Sequence, residues 1–299
     1  SSASPSVSPS ISPSRSISVS PSVSQSASPS LVAPISLDSV LSLSLVVATD
    51  IGAQVVNIYA VMATVERTGD VDNNLSAAIV NDYYIFNDGI VPLKYWDMVT
   101  ATVTTLVGGG ELACKAMLMI GERLCMYWQP DAPRRAQWTV VGGISIPPAA
   151  TDWTDAGSGD TDLDSVFGDD VIQTAHKLGN YAVVYGKKTI VMQEYTGSSP
   201  NDPYAFYVRV PGIGTPSEKG VANLGNSHIL LGWDDVYLYK GGTDVESIGD
   251  RVSSELFSII NPTYIHRSFM VYLEDQYEVR LYFPLIGSER PNCYFTYSL

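Results

Sequence analysis

From Leu41 onward the chain repeats one pattern: a run of about five to eight β-favouring residues, a turn signal, then another run. Tyr83–Phe86 stops at Asn87-Asp88-Gly89, Ala113–Ile120 at Gly121, Tyr181–Tyr185 at Gly186, and Val236–Tyr239 ahead of Gly241-Gly242. Val55–Val65, Thr189–Tyr195, Ala205–Val210, His228–Leu231, Phe269–Leu273 and Glu278–Phe283 are runs of the same kind. Side chains alternate across a strand, so residues of one parity share a face. Val279, Leu281 and Phe283 fall on one face, with Glu278 and Arg280 on the other; Phe206 and Val208 likewise oppose Tyr207 and Arg209. Both segments read as half-buried antiparallel strands. A tight turn over Ile120–Arg123 would set Cys114 near Gln129 and Cys125 near Leu118. Helical periodicity is nearly absent; Arg251–Ile260 reads as one short helix, capped by Ser253 or Ser254.

The expected fold class is therefore all-β. Roughly twenty strands over about 260 residues, at four strands per blade of about 40 to 45 residues, give five or six antiparallel blades of a propeller. A pair of β-sandwiches has a similar strand count, and composition does not separate the two.

The first thirty residues follow a different rule. Serine fills every even position from Ser2 to Ser30, including Ser6, Ser8, Ser10, Ser12, Ser14, Ser16, Ser18, Ser20, Ser22 and Ser24. Pro5, Pro9, Pro13, Pro21 and Pro29 forbid helix and a central strand, leaving an extended, polyproline-II-like or edge-β chain. Period two then places the serines on one face and Pro with aliphatic residues on the other. We expect an extended arm over residues 1–37 and a propeller-like domain over 38–299. The aliphatic face could dock along a neighbouring protein, or the serines could carry O-linked glycans, as Ser/Pro-rich stalks do. A linker without sites is the third reading.

Composition narrows the function classes. The 299 residues carry a net charge of −14, which disfavours gripping a phosphate backbone, so no specific nucleic-acid partner is expected. Tyrosine, at 18 against 7 Phe, suits sheets with one packed and one wet face. The three cysteines (Cys114, Cys125 and Cys293) form no CxxC and read as free, partly buried thiols. No apolar run reaches the length of about 20 residues that a membrane helix needs, so no membrane partner is expected. No signal-peptide pattern opens the chain, and its first residue, Ser1, fits processing or a place within something longer.

The order of the turn motifs adds a resemblance. Gly168-Asp169-Asp170-Val171-Ile172 leads into Leu178–Val191, then Gly212-Ile213-Gly214-Thr215-Pro216, Val221–Asn226, Ile229–Gly242 and Ile248–Val252. Upstream stand Met117–Trp128 and Ala132–Trp138; downstream comes Arg267–Tyr297. Together this order resembles the β-propeller modules of tailed-bacteriophage virion proteins, including tail-nozzle and tail-hub proteins of short-tailed phages. It covers about two-thirds of the chain, and it departs where Asp235 replaces the glycine of the usual Asp-Gly turn. The chain also ends at Leu299, short of the strand expected to complete the last blade. The resemblance implies a structural component of the virion, in the tail, neck or an attached appendage. Such a protein would assemble in the host cytoplasm and contact other virion proteins and copies of itself. The alternative from another class is a carbohydrate- or receptor-binding propeller on a glycosylated stalk.

Candidate chemistry is sparse. Asp160-x-Asp162-x-Asp164 starts like a calcium loop but has Ser165 where the sharp turn needs Gly and Val171 where a bidentate Glu belongs. His176, His228 and His266 are too dispersed to read as a metal set. Glu194, Glu274 and Asp275 are the carboxylates a glycosidase could use, yet no hydrolase motif accompanies them. Gly108-Gly109-Gly110 lacks the following basic residue and helix of a phosphate loop. Trp138, Trp153 and Trp233 read as area packed between sheets. The expectation is no catalytic residue, no metal and no cofactor.

Overall fold

The structure is a computed structural model; it describes residues 74–100, 102–106, 113–249 and 252–299 in full, and 43–47 and 54–58 as strand backbone. The chain divides into two compact units, Ser1–Ser39 and Val40–Leu299, the first lying wholly outside the described residues. The serine repeat with Ser6 to Ser24, and Gly108-Gly109-Gly110, therefore fall outside them too.

A hairpin of β1 (Leu43–Val47) and β2 (Gln54–Ile58) precedes five antiparallel sheets. Sheet 1 holds β3 (Ser76–Val80), β4 (Tyr83–Asn87), β5 (Lys94–Trp96) and β6 (Val103–Thr105). Sheet 2 holds β7 (Ala116–Ile120), β8 (Arg123–Tyr127), β9 (Arg135–Trp138) and β10 (Gly159–Asp162). Sheet 3 holds β11 (Ile172–Leu178), β12 (Tyr181–Gly186), β13 (Thr189–Tyr195) and β14 (Tyr204–Pro211). Sheet 4 holds β15 (Val221–Asn223), β16 (His228–Leu231), β17 (Val236–Tyr239) and β18 (Glu246–Ser247). Sheet 5 has three strands: β19 (Phe269–Leu273), β20 (Glu278–Phe283) and β21 (Cys293–Ser298). The helices are short: α1 (Asp164–Phe167) and α2 (Ser253–Ile259). Every sheet is a meander in chain order, and the first strand of each contacts the first strand of the next. This is an all-β, five-bladed, propeller-like fold.

Period two explains how the sheets hold together. On β8, Leu124 and Met126 face sheet 1, packing with Val80, Ile85 and Leu93, while Cys125 and Tyr127 face sheet 3 with Ala182, Val184 and Val191. On β12, Ala182 and Val184 face back to sheet 2, while Val183 and Tyr185 pack forward against Val221, Leu230 and Tyr239. The fourth interface joins Ala222, Ile229 and Leu231 to Met270, Val279, Leu281 and Phe283, with Leu256 of α2 beside them. Strands buried on both faces read as continuous apolar runs rather than alternating ones. Each fully buried Leu or Val contributes about 1.5–3 kcal/mol by leaving water.

The turns follow local chemistry. Asn81-Asp82 and Gly121-Glu122 all have positive φ, the backbone that two-residue hairpins require. The second turn pairs Leu118 with Cys125, the register its length predicts. Asn87 Oδ1 accepts from the Gly89 and Cys114 N–H groups at 2.7 and 2.9 Å, closing the Asn-Asp-Gly turn. Asp235, which replaces the usual turn glycine, accepts from Val236 N at 2.7 Å and from the Ser247 and Ser253 hydroxyls. It thereby ties the β16–β17 turn to β18 and α2. A Cβ on Gly249 would collide with that carboxylate at Asp235 Oδ1.

Three details depart from the sequence reading. Val208 is 42% exposed, because a register shift between Ile190 and Val191 leaves Arg209 as an extra residue on β14. The residue preceding α2 is Val252 and makes no side-chain cap, while Ser253 turns to Asp235 instead. Trp138 and Trp153 are buried, whereas Trp233 is exposed and donates Nε1–H to Lys187 O at 2.7 Å.

The interface of sheets 3 and 4 also carries polar groups. His228 is fully buried; its Nδ1 lies 2.7 Å from Tyr185 Oη and its Nε2 3.1 Å from Lys177 O. Since a carbonyl only accepts, Nε2 carries the proton and Nδ1 accepts from the tyrosine. Burial pushes His228 down to about 4, and His176, 5.8 Å away between ring centroids, is lowered by burial and by His228. Below the unfolded pKa of about 6.5 the unfolded chain binds protons that folded His228 refuses. Stability is thus full above about pH 6.5 and declines as pH falls toward 4.

Three outcomes follow. Leu231→Ala, in the fourth interface, should lower the denaturant-derived unfolding free energy by about 2–5 kcal/mol. Val271→Ala, on the opposite side of sheet 5, should cost under about 1 kcal/mol. Between pH 6.5 and 4, His228→Gln should flatten the fall of unfolding free energy, by up to about 1.4 kcal/mol per pH unit. An unchanged slope would show that His228 does not titrate on unfolding.

Candidate functional site

The four interfaces leave two sheet faces unassigned, one on sheet 5 and one on sheet 1. On sheet 5, Met270, Leu281 and Phe295 are in register and face sheet 4. The residues of opposite parity, Phe269, Tyr282 and Tyr294, form an aromatic ladder across all three strands. Phe269 and Tyr282 stack at 4.7 Å and 12°, Tyr282 and Tyr294 lie at 5.2 Å, and the Arg280 guanidinium covers Tyr294 at 5.5 Å. Tyr294 is 51% exposed. On sheet 1 the matching face carries Ile79, Tyr84 and Trp96, in register across β3, β4 and β5, with Ile79 exposed. Beyond Tyr294, β21 pairs with β20 alone among the described strands, and toward those strands its outer edge offers backbone donors and acceptors.

Near the axis, polar contacts join the strand entries. Glu218 accepts from Asn74 Nδ2 at 3.0 Å and pairs with Lys115 at 2.5 Å, and Lys219 Nζ donates to Leu75 O at 2.9 Å. Asn74 and Leu75 precede β3, Lys115 precedes β7, and Glu218 and Lys219 precede β15, so one cluster links three sheets.

A concavity of about 350 Å³ opens at the ends of sheets 2 and 3, lined by Gly121, Lys177, Asn180, Tyr181, Glu194 and Tyr195 among others. Both tyrosines are partly exposed, and the Tyr195 ring sits on Gly121, where a Cβ would come within 3.0 Å. Glu194, singled out from the sequence, lies here; Glu274 and Asp275 sit far along the chain in the short turn after β19.

The other chemistry-bearing residues have structural partners. Asp160 and Asp162 pair with Arg135 at 3.4 and 3.1 Å, and Asp164 pairs with Arg134. Asp152 is buried and accepts from Ala149 N at 2.9 Å, and Asp170 caps Lys187 N and Lys188 N at 2.9 and 2.8 Å. Cys114 and Cys125 are buried, and burial raises both thiols, Cys125 to about 11, far from a reactive thiolate. Among the described residues no three His, Cys, Asp or Glu side chains converge on a point. The aromatic ladder had a signal in the sequence: residues 269, 282 and 294 share the face opposite to that of Val279, Leu281 and Phe283 once the hairpin registers are known.

No protein-family model matches the chain, and no curated protein matches it. Solved structures do. The extracellular domain of a hybrid two-component system from B. thetaiotaomicron aligns with a TM-score of 0.44 and 12% identity over 84% of this chain and 30% of its own. The computationally designed Ika8 protein aligns at 0.37 and 9%, over 74% of this chain and 60% of its own. Dihydro-heme d1 dehydrogenase NirN aligns at 0.39 and 7%, over 75% and 46%. The chain thus spans less than two-thirds of each of these structures. Likenesses this weak carry no functional argument, and the set includes an enzyme beside proteins with no enzyme name.

Proposed function

We propose that this chain is a non-catalytic structural protein that works by assembly, as a building block of a tailed-phage virion contacting other virion proteins and copies of itself. The observation that carries the assembly reading is the Phe269–Tyr282–Tyr294 ladder on a sheet face outside the four inter-sheet clusters. Aromatic rows of this kind are the usual anchors of protein–protein contacts, supplying large area at little entropic cost. The edge of β21, which has no second partner among the described strands, adds backbone groups that a partner strand could meet. The net charge of −14 suits a particle component that must not grip DNA. The virion setting rests on the order of turn motifs from Asp169 to Asp250.

A second reading is a carbohydrate-binding propeller, favoured by the concavity between Tyr181 and Tyr195 with Glu194 and Asn180 at its wall. Tyrosine faces with a few polar groups are what a sugar ring needs for stacking and orientation.

Sedimentation of the full chain should show self-association that Tyr294→Asp weakens about tenfold or more, with its thermal unfolding unchanged. A monomer at every concentration would count against self-assembly. Proteomics and cryo-EM of phage particles encoding the chain should place it in the tail or neck; its absence from purified particles would end the virion reading. Saturable glycan binding lost in Tyr181→Ala would instead bring the second reading forward.

A further inference from the structure

We infer that sheet 5 is completed by the serine-repeat arm of a second copy of this chain, with residues Ser16–Pro21 added antiparallel to β21 as a fourth strand. The inference rests on the assembly reading and names its contact. Sheets 1 to 4 each have four strands and sheet 5 has three, and β21 has no second partner among the described strands.

The ladder fixes which backbone groups this edge presents. Leu299 N donates to Tyr277 O at 2.9 Å, which makes residues 277 and 299 a hydrogen-bonded pair. Bonded and non-bonded pairs alternate along an antiparallel ladder. Counting back through the register, Tyr297, Phe295 and Cys293 spend their backbone groups on β20, while Ser298, Thr296 and Tyr294 turn theirs away from it. Side chains divide by the same parity. Cys293 and Phe295 pack on the sheet 4 side, where Tyr297 is still 39% exposed, and Tyr294 stands on the ladder face.

An added antiparallel strand must meet two demands. Residues bonding Tyr294, Thr296 and Ser298 share the ladder face and need their N–H groups; those between them fall on the apolar side with Phe295 and Tyr297. The repeat meets both demands with one parity. Serine holds every even position from Ser2 to Ser30, while Pro5, Pro9, Pro13, Pro21 and Pro29 are all odd. With the serines bonded to β21, every proline turns its missing N–H outward, where no ladder bond is lost. Placing Ser18 opposite Thr296 sets Val19 opposite Phe295 and Ile17 opposite Tyr297, extending the apolar row. The other parity would turn prolines against the edge and lay serines over that row. Charge also suits the arm to this role. Arg15 is its one charged residue and all 31 acidic residues follow position 37, so the arm approaches another copy's acidic body without like-charge repulsion. An arm and a matching edge on one chain give a head-to-tail contact that repeats from copy to copy.

Cys293 supplies the test, because the residue opposite it occupies a non-hydrogen-bonded pair, within disulfide reach. A Cys293→Ser chain carrying one added cysteine is mixed with the unaltered chain and oxidised by air with copper phenanthroline. The added cysteine is Val19→Cys, Pro21→Cys or Val23→Cys at odd positions, and Ser20→Cys or Ser22→Cys at even ones. Cys114 and Cys125 are buried and do not compete. Interchain disulfides mapped to Cys293 by mass spectrometry should form at an odd position, Pro21→Cys foremost, at least about fivefold above the even ones. Amide exchange at Tyr294, Thr296 and Ser298 should slow at least about tenfold from dilute to associated full chain. Equal yields at odd and even positions, no bond to Cys293, or unchanged exchange would overturn the contact. So would a Pro21→Cys chain retaining Cys293 that closes the bond only within itself. Self-association on sedimentation without the Cys293 bond would refute this contact and leave the assembly reading standing; a monomer at every concentration would remove both.

Discussion

Face-to-face apolar packing between successive sheets is the constraint on which everything else here depends. A meander of three or four short strands has two faces and cannot bury either alone. Stacking each sheet against the next covers both faces of the middle ones, which is why β8 and β12 distribute successive residues to two different clusters. A one-residue slip on β12 would exchange Ala182 and Val184 for Val183 and Tyr185 and break two interfaces together. Register is therefore over-determined in the middle of the molecule.

The same constraint locates the surfaces where function would sit. Sheets 2, 3 and 4 spend both faces on their neighbours, whereas sheets 1 and 5 each keep one face outside the four clusters. Those two faces carry Ile79, Tyr84 and Trp96 and the Phe269–Tyr282–Tyr294 ladder. A cavity lies where the beginnings of these two sheets come together, at Asn74 and at Ser268–Phe269. His228 with Tyr185, buried inside an interface, and Asp235 with Ser253, half-buried beside α2, are paired, which suits structural roles.

Several residues that invited chemical readings turn out to serve geometry. Asp170, a few residues past the broken calcium-like loop, caps the Gly186-Lys187-Lys188 turn. Asp235 looked like a defect in a turn and instead joins the turn to β18 and α2. Both cases reflect one property of carboxylates in β proteins: two acceptor oxygens can satisfy backbone and hydroxyl donors that the strand ladder leaves over.

By itself the sequence determined the all-β class, the hairpin turns and the parity of the better strands, because these depend on neighbours within a few residues. The Gly121 turn set the Leu118–Cys125 register, and Val279, Leu281 and Phe283 proved to be the buried face of β20. Only the tertiary structure decided which sheet each face meets, that Val208 and Trp233 are exposed, and that His176 lies beside His228. It alone brought Asn74 to the same cavity as Arg267 and Arg290, and lined up three aromatics from three strands. The reason is physical: local pattern specifies a strand and its turn, but which distant surface excludes water from it depends on how whole sheets stack.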